Sequence, residues 1–348
     1  MESRAHDEDL WPYIRSLLPE NLDETARETG ALLRRRGIRD AEALVRMLLA
    51  YGATDLSLHS VATWARAMKL SSLSPPALFY RVRDAERWLS ELLGAVLTRE
   101  VPPPLSKLRL RAVDATVITG PGAEGTEWRV HALAEPGSGR FCAVELTDEH
   151  VGEGYGLHPL STGDVVLGDR GYAYARSIAA ANAKGAAVIV RINPRGIRLC
   201  DLDRQPLALG NRARSVPKVG VRTWDLLLPI PPRKRTKSHK PWPLSKARDW
   251  IPVRVVAART RKGNVIWVLT TLPPDMGTPE EVMDLYRLRW QVELLFKRLK
   301  SLLDLDALPS RQGPTARSWI LARLLVAALT QKLLAPGEAL SPWGYVLR

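Results

Sequence analysis

The hydrophobic pattern of this chain changes near residue 105, and this change limits the folds that the chain can adopt. Residues 8–97 repeat apolar side chains every three or four positions, which is typical of amphipathic helices. Gly52 is among the residues that we expect to separate these helices. The prolines at 102–104 end the helical pattern, and shorter alternating runs follow. The sequence therefore predicts an all-helical N-terminal domain over residues 1–104, followed by a domain that contains strands.

Short β-rich runs dominate the chain after the prolines. Three of them follow one another across Gly/Pro turns and predict a three-stranded meander. An alanine-rich helix is expected over residues 172–184 and a last helix over 315–334. Because hydrophobic strands alternate with helices here, we expect an α/β core. The predicted strands are 108–118, 127–134, 140–146, 164–168, 186–192, 251–258 and 264–271.

The stretch 284–303 combines two helical faces. Tyr286, Arg289, Glu293 and Lys300 are spaced by three, four and seven positions, so a helix would place them on one stripe. Leucine and valine residues beside them have the spacing of a face that packs on a core. The pattern predicts one continuous helix that shows an acid among bases and a phenol along its flank.

Positive charge is concentrated in the later part of the chain. The net charge is +14, yet residues 1–100 carry 14 Lys/Arg and 15 Asp/Glu. Residues 231–262 alone carry 11 Lys/Arg and one acid, Asp249. A localised basic surplus favours binding to a polyanion, most simply nucleic acid, although a solvated basic surface is the alternative.

The remaining composition predicts a protein of the cytoplasm. Cys142 and Cys200 belong to no CxxC motif, which indicates unpaired thiols in a reducing compartment. His150 and His158 lie in a Gly-rich loop without zinc-like spacing, and we expect both to be solvated. The polar, acidic N-terminus predicts no signal peptide, and the apolar run at 319–329 is too short to span a membrane.

Three acidic residues lie in unusual settings. Asp114 is inside a hydrophobic strand, Asp169 ends the predicted strand 164–168, and Glu293 is on the helix described above. A buried carboxylate is costly unless it is paired or binds a cation. Three carboxylates from separate elements can converge on two Mg²⁺ ions, which prefer oxygen ligands and support phosphoryl transfer.

Each of these acids also has a purely structural alternative. Asp169 precedes a glycine by two positions and can form a turn. Asp114 and Glu293 can each form ordinary ion pairs. The partners available for those pairs are Arg111 or Arg191 for Asp114, and Arg289 or Lys297 for Glu293.

The motifs together resemble a family of bacterial enzymes, the DDE transposases of the insertion-sequence-four family. The family signature Tyr-x2-Arg-x3-Glu-x6-Lys is matched in full by the four residues of the 284–303 stripe. The sequence VDATVI around Asp114 resembles the first catalytic motif, and VLGDRGY around Asp169 resembles the second. The similarity extends from the helical start to about residue 334.

The resemblance implies a ribonuclease-H-like catalytic core interrupted by a β-rich insertion. In this chain the core is expected at residues 105–192 and 251–310, with the insertion at 193–250. A C-terminal helix and tail would occupy 311–348. The helical N-terminal domain would serve DNA-end binding and assembly.

The resemblance also implies the activity and its residues. A DNA transposase of this kind cuts and joins insertion-sequence ends by cut-and-paste chemistry, through a hairpin in related enzymes. Asp114, Asp169 and Glu293 would ligate two Mg²⁺ ions, which Mn²⁺ can replace. Double-stranded DNA, at the terminal inverted repeats and at the target, would be bound by a homodimer associated with the nucleoid. The phosphate-contacting residues would be Tyr286, Arg289 and Lys300.

Two further expectations follow from the resemblance. Related enzymes stack a flipped base on an aromatic ring of the insertion, and the candidates here are Trp224, Trp242 and Trp250. Trp128 and Trp267 lie in alternating strands and are expected in the core. Only 55 residues follow Glu293, so a truncated, non-catalytic transposase that regulates transposition by binding DNA is the alternative function.

Overall fold

The structure is a computed structural model, and it divides the chain into two compact units. It describes residues 10–54, 56–98, 108–119, 128–136, 140–232, 242–260, 262–290, 293, 308 and 313–333. The first unit comprises Met1–Val101, Val117–Arg129 and Lys297–Arg348. The second comprises Pro102–Thr116 and Val130–Phe296. Each unit is described separately below.

Helices form the first unit. Local caps explain several starts: an Asp40 carboxylate oxygen accepts a hydrogen bond from the Ala43 N–H, and the Ser57 hydroxyl accepts one from the Ser60 N–H. The last helix packs against α3 and α6, so the C-terminal helix shares a core with the N-terminal ones. The helices are α1 (Trp11–Leu17), α2 (Leu22–Glu28), α3 (Ala41–Ala53), α4 (Leu58–Ala67), α5 (Pro75–Asp84), α6 (Glu86–Thr98) and, from the end of the chain, α9 (Gly313–Leu333).

Gly52 is the second-last residue of α3, so the predicted helix boundary is confirmed to within one or two residues. It lies within α3, where the helix meets α9. A Cβ atom placed on Gly52 would lie 2.8 Å from the Ala322 Cβ and 2.9 Å from the Ala322 carbonyl carbon. Glycine therefore allows a close approach of the two helix backbones, and its packing role outweighs its weak helix propensity.

A ten-stranded mixed sheet is the centre of the second unit. The strand order is β3-β2-β1-β4-β5-β10-β9-β8-β6-β7. The predicted three-stranded meander is confirmed as β3-β2-β1, and each longer predicted strand has a counterpart. The strands are β1 (Arg109–Ile118), β2 (Trp128–Glu135), β3 (Arg140–Asp148), β4 (Asp164–Gly168), β5 (Ala187–Arg191), β6 (Leu199–Cys200), β7 (Pro206–Leu207), β8 (Val221–Ile230), β9 (Asp249–Arg259) and β10 (Val265–Thr270).

The strands β1, β4 and β5 are parallel neighbours. Every residue of β4 is buried, as expected for a parallel strand with both of its faces covered. Asp164 begins this strand inside the protein, where its carboxylate lies 2.6 Å from the Arg109 Nε and 3.6 Å from the Arg111 Nε. Two cations therefore compensate the buried charge at the start of β4.

The other half of the sheet is antiparallel. β10 pairs with β5 and β9, and β9 pairs with β8 along ten residues. The strands from residues 193–250 thus extend the same sheet. Trp267 is 5% exposed, as predicted for a core residue, and its ring stacks on Trp224 with centroids 5.4 Å apart. Trp128 is only half-buried, so it is less enclosed than predicted.

The predicted helix over 284–303 is interrupted. Helix α8 (Pro279–Arg287) begins at a capping box, in which Thr278 and Glu281 exchange side-chain and backbone hydrogen bonds. It ends in a tight turn at 288–289, where the Arg289 N–H bonds to the Tyr286 carbonyl. Helical backbone resumes at Trp290 and at Glu293. The continuity predicted from periodicity was therefore wrong at this turn.

Helix α7 (Ala175–Ala183) packs against the loop that precedes β4, and this loop contains a buried histidine. His158 is 2% exposed, so the expectation that it is solvated was wrong, whereas His150 is exposed as predicted. The His158 ring packs edge-on to His131 and at a tilt to Tyr172, with centroids 6.5 and 6.1 Å away. The loop places aromatic rings beneath the end of β4.

Two expectations about thiols and membranes can be compared with the structure. Neither Cys142 nor Cys200 forms a disulfide, as predicted. Among the residues that the structure describes, no helix is long and apolar enough to cross a membrane.

Candidate active site

Two of the three predicted acids lie beside each other on parallel strands. The register of β1 and β4 pairs Ala112 with Leu167. Asp114 and Asp169 each lie two residues further along their chains, so the same register brings them to adjacent positions. Neighbouring strands are about 4.8 Å apart, and positions two residues apart share a face. The pairing of β1 with β4 therefore brings two carboxylates together where β4 ends.

Asp114 is half-buried among charged neighbours. Burial raises the pKa of its carboxyl to about 6. A hydrogen bond from the Ala115 N–H, 2.9 Å long, and the charge of Arg289 favour the ionised form. The negative charges of Asp169 and Glu293 act in the opposite direction. All three predicted acids thus influence one another electrostatically.

Glu293 is held by Arg289. The Arg289 Nη2 donates a hydrogen bond of 2.5 Å to the Glu293 Oε1, an i,i+4 ion pair across the turn that follows α8. Burial alone would lower the pKa of Arg289, but the hydrogen bond to Glu293 and the nearby Tyr286 outweigh it and raise the pKa. This is the ion pair that the structural alternative for Glu293 predicted, and it also orients the carboxylate.

Tyr286 lies within reach of the same charges. Burial raises the pKa of its phenol, while Arg289 and Arg191 favour the ionised form and Asp169 opposes it. The Arg289 guanidinium carbon lies 6.0 Å from the centre of the Tyr286 ring. The phenol therefore lies between the two arginines and the acid at the end of β4. Arg191 was weighed from the sequence only as a possible partner of Asp114.

The structural alternatives for the two aspartates have different outcomes. The Asp169 Oδ1 accepts a hydrogen bond of 2.8 Å from the Gly171 N–H, so Asp169 does form the predicted turn. Within the described residues Asp114 has no ion pair with Arg111, which instead lies 3.5 Å from a Glu135 carboxylate oxygen and also pairs with Asp164. The turn therefore orients Asp169, while Arg289 is the cation that most favours the ionised form of Asp114.

The structure brings five of the six predicted site residues into one neighbourhood. Lys300 lies outside the described residues. Within the parts of the chain that are described, no three side chains among His, Cys, Asp and Glu are close enough to hold a metal ion together. The acids interact through charge without forming a closed ligand shell, and their role as metal ligands stays a prediction. The five residues are Asp114, Asp169, Glu293, Tyr286 and Arg289.

Three residues near the site were not singled out from the sequence. Tyr155 and Tyr172 are fully buried, and within the described chain their hydroxyls have no hydrogen-bond partner. Burial raises the pKa of each phenol, and Asp169 acts on both. Glu153, in the loop before β4, lies against Gly171. The glycines around Asp169 were the available signal, because each borders one of these side chains.

The three candidate tryptophans differ in their surroundings. Trp224 packs against the sheet core. Trp242 and Trp250 are half-buried, and an arginine covers one face of each ring: Arg198 lies 5.1 Å from the centre of Trp242, and Arg204 lies 5.1 Å from that of Trp250. All three rings are half-buried, but Trp224 is packed on another ring, Trp267, whereas Trp242 and Trp250 each lie beside an arginine.

The sheet and its acidic end agree with what family comparison finds. Residues 105–329 match the family described as the transposase DDE domain. The chain belongs to this family of DDE transposases.

The similar proteins are transposases of bacterial insertion sequences. The chain is 36% identical to InsL of Escherichia coli K12, named as a transposase for insertion sequence element IS186A, across 97% of each protein. It is also 36% identical to the Escherichia coli transposase for insertion sequence element IS421, again across 97% of each. The predicted membership of the DDE class is thereby confirmed.

One solved structure is similar only at a low level. The piggyBac transposase synaptic complex with hairpin DNA aligns with 95% of this chain and 81% of its own, at 11% identity and a TM-score of 0.41. This similarity is too low to support any inference about the present chain.

Proposed function

We propose that this transposase cuts and joins insertion-sequence ends by phosphoryl transfer that depends on divalent metal ions. The observation that carries the proposal is the position of Asp114 beside the end of β4, where Asp169, Glu293 and Arg289 all act on its carboxylate. A carboxylate that is half-buried and repelled by two others needs positive charge nearby.

The acids suit hard cations. Asp114, Asp169 and Glu293 offer only carboxylate oxygens, which are the ligands that Mg²⁺ and Mn²⁺ prefer. When bound, a pair of such ions activates an attacking oxygen and stabilises the leaving oxygen of a phosphodiester. The residues proposed to hold the pair are these three acids. The Tyr172 hydroxyl is buried, has no hydrogen-bond partner in the described chain and is acted on by the charges of nearby acids, which fits a site that gains further ligands.

Arg289 and Tyr286 are proposed to grip the phosphates of the transposon end. One nitrogen of the Arg289 guanidinium bonds to Glu293 and orients that carboxylate. The planar guanidinium has further N–H groups that can donate to phosphate oxygens. Tyr286 adds a hydroxyl beside them. Lys300, which lies outside the described residues, is proposed as a third contact from its place in the family signature.

The fold proposed for the catalytic region is ribonuclease-H-like. Three strands that follow one another along the chain are neighbours in the sheet, and β4 and β5 then continue it in parallel with β1. This order, β3-β2-β1-β4-β5, supports the proposal. The strands from residues 193–250 are proposed as the β-rich insertion. Residues 1–104 are proposed to serve DNA-end binding and assembly.

The finer steps are also proposals. Hydrolysis at the element end would leave a 3′-hydroxyl, which would attack the opposite strand, form a hairpin and release the flanking DNA. A second hydrolysis would open the hairpin and regenerate the 3′-hydroxyl, which would then attack a phosphodiester of the target DNA. The partner is double-stranded DNA, bound by a homodimer at the nucleoid in the cytoplasm. The alternative, a non-catalytic regulator, is not favoured because the comparisons match transposases over nearly their whole lengths.

Cleavage assays on defined DNA ends test the proposal. The full chain is incubated with duplexes that carry the terminal inverted repeats of its own element or a scrambled sequence, with Mg²⁺, Mn²⁺ or EDTA. We expect metal-dependent cleavage at the element ends alone. Binding without cleavage would support the regulator, and equal cleavage of both duplexes would identify a nuclease without end preference.

A further inference from the structure

The carboxylate of Glu153 lies next to that of Asp169. An ideal Cβ atom on Gly171 would overlap the Glu153 Oε2 and would lie 3.1 Å from the Asp169 Oδ1. Two carboxylate oxygens from different loops therefore occupy the small space above one glycine. Any larger residue at position 171 would displace at least one of them. This close approach explains why the second glycine of the GDRGY motif, Gly171, has no side chain. The Gly171 N–H also donates a hydrogen bond to the Asp169 carboxylate.

The backbone around Glu153 is anchored to helix α7. The Tyr174 hydroxyl donates a hydrogen bond of 2.8 Å to the Glu153 carbonyl oxygen. Two residues later, the buried Tyr155 N–H donates one of 3.0 Å to the Ser177 hydroxyl. A Cβ atom on Gly154 would lie 2.5 Å from the same Tyr174 hydroxyl, so the chain can pass this close only with glycine there. These contacts hold the Glu153 backbone in place next to β4.

A buried hydroxyl lies within electrostatic reach of the same acids. Tyr172 is 0% exposed, and its hydroxyl has no hydrogen-bond partner among the described residues. Besides burial, the charges that raise its pKa are chiefly those of Glu153 and then Asp114, with Asp169 acting more weakly. A buried donor left without an acceptor destabilises the folded protein. Such a donor beside several carboxylates indicates a site that is completed by something bound there.

We propose that Glu153 is a fourth carboxylate of the active site and that it binds a divalent cation together with Asp169. The proposal rests on the metal-dependent function proposed above. Two neighbouring carboxylates repel each other in a half-buried setting, and a hard cation between them removes this repulsion while using oxygen ligands alone. The anchored backbone lowers the conformational entropy lost when Glu153 takes up its ligand geometry.

Metal titration of the full chain without DNA tests this proposal. Binding of Mn²⁺ alone is measured by calorimetry for the wild type, Glu153→Gln, Glu153→Asp and Asp169→Asn. Glu149→Gln is the matched control, since Glu149 is an exposed acid four residues earlier. We expect Glu153→Gln to weaken Mn²⁺ binding by about 10-fold or more, because losing a ligand should cost at least as much as losing an outer-shell partner of one. Glu153→Asp should recover part of the affinity, and Glu149→Gln should match the wild type.

The variants separate this inference from the proposed function. If Asp169→Asn loses Mn²⁺ affinity while Glu153→Gln keeps it, the metal site stands and the role of Glu153 is overturned. If neither change alters binding, or the wild type binds no Mn²⁺, the proposed metal site fails and the role of Glu153 fails with it. Melting temperatures within a few degrees of the wild type show that each variant is folded.

A thiol at position 153 gives a second, independent measurement. In Glu153→Cys, cleavage of element ends should be poor with Mg²⁺ and regained when Cd²⁺ is added, because thiolates prefer soft metals. Cd²⁺ should give no such gain in Glu149→Cys. A loss of activity that Cd²⁺ leaves unchanged in Glu153→Cys would assign Glu153 a purely structural role and overturn the proposal.

Discussion

The two halves of the ten-stranded sheet differ in where their charged and hydroxyl groups lie. In the half that contains β1 and β4, acids and buried hydroxyls gather where β4 ends. In the antiparallel half, the Trp224 and Trp267 rings stack on each other, and Asp225 on β8 is exposed to solvent. The difference indicates that parallel pairing concentrates chemistry at one edge of the sheet, whereas the antiparallel half supports and extends it.

The largest expected effect comes from removing a site acid. Asp114→Asn, Asp169→Asn or Glu293→Gln should lower end cleavage by about 10³-fold or more, as for removal of a central catalytic group. Binding to the ends should change little, because these residues are proposed to hold metal and not DNA. Cleavage rates and gel-shift affinities are the measurements.

The antiparallel half supplies the matched control for the acid variants. Asp225→Asn removes an exposed acid from β8 and should leave cleavage unchanged. An equal loss of cleavage in this variant would remove the functional distinction between the two halves. Loss of end binding in all three acid variants would count against their role as metal ligands.

The positions of these acids were predictable from the sequence only in part. The hydrophobic runs around Asp114 and Asp169 indicated strands, and family motifs indicated that the strands belong together. The turn at 288–289 contains no Gly or Pro, so nothing local signalled that the helix before Glu293 would be interrupted. Tertiary contacts determine whether a helix is interrupted at such a position, and the spacing of apolar residues in the sequence does not reveal those contacts.

Burial of loop residues was the least predictable feature. His158 and Glu153 both lie in a Gly-rich segment that is polar in composition and reads as a surface loop. The segment instead packs against α7, and Gly154 allows its backbone to pass close to the Tyr174 hydroxyl. A single sequence shows the glycines but not the side chains that pass beside them.

The next largest effect is a pH dependence in the half that contains β4. Burial, together with His131 and Lys184, lowers the pKa of His158 from 6.5 to about 3. Between about pH 3 and 6.5, His158 therefore binds a proton in the unfolded chain but not in the folded protein. The contribution of His158 to stability should be full above pH 6.5 and should decrease by about 1.4 kcal/mol per unit as pH decreases towards 3. Asp114, whose pKa is raised to about 6, contributes in the opposite direction between pH 6 and 4, so the effect of His158 is measured as the difference in slope between the wild type and a His158 variant.

Denaturant unfolding between pH 4 and 7 measures this effect. His158→Gln should lower the slope of stability against pH by about 1.4 kcal/mol per unit relative to the wild type, even if it also lowers stability overall. His150→Gln, at a side chain that is 83% exposed, should keep the wild-type slope. Identical slopes in all three proteins would show that His158 is not excluded from protonation in the folded state.

A smaller effect is expected at the arginine beside Glu293. Arg289→Ala should weaken end binding by about 10-fold. The slope of the logarithm of the binding constant against the logarithm of salt concentration should become shallower by about 0.9, the value for one lost phosphate contact. Arg289→Lys keeps the charge but loses the planar fork, so it should recover the salt dependence better than the cleavage rate.

Arg287 gives the control on the same segment, since it is exposed and pairs with Asp284. Arg287→Ala should bind ends with nearly wild-type affinity. Lys300→Ala should resemble Arg289→Ala in affinity and salt dependence. An unchanged salt slope in Arg289→Ala would show that its guanidinium contacts no phosphate.

The smallest effect is expected in the antiparallel half. Trp250→Ala should destabilise a flipped base by about 1 kcal/mol, at the lower end of the range for base stacking. The measurement is the fluorescence of a 2-aminopurine placed at the element end. Trp250→Phe should retain most of the stacking, and Trp224→Phe should lower the melting temperature without changing the fluorescence.

The pairing of β1 with β4 has a consequence for how this chain can vary. Asp114 and Asp169 occupy neighbouring positions because each lies two residues after a paired residue, Ala112 on β1 and Leu167 on β4. Inserting one amino acid within either strand would turn its carboxylate to the opposite side of the sheet. Lengthening the connections outside the strands would leave both acids where they are. Related proteins that differ in size should therefore accumulate their gaps in those connections, with the strand segments constant in length.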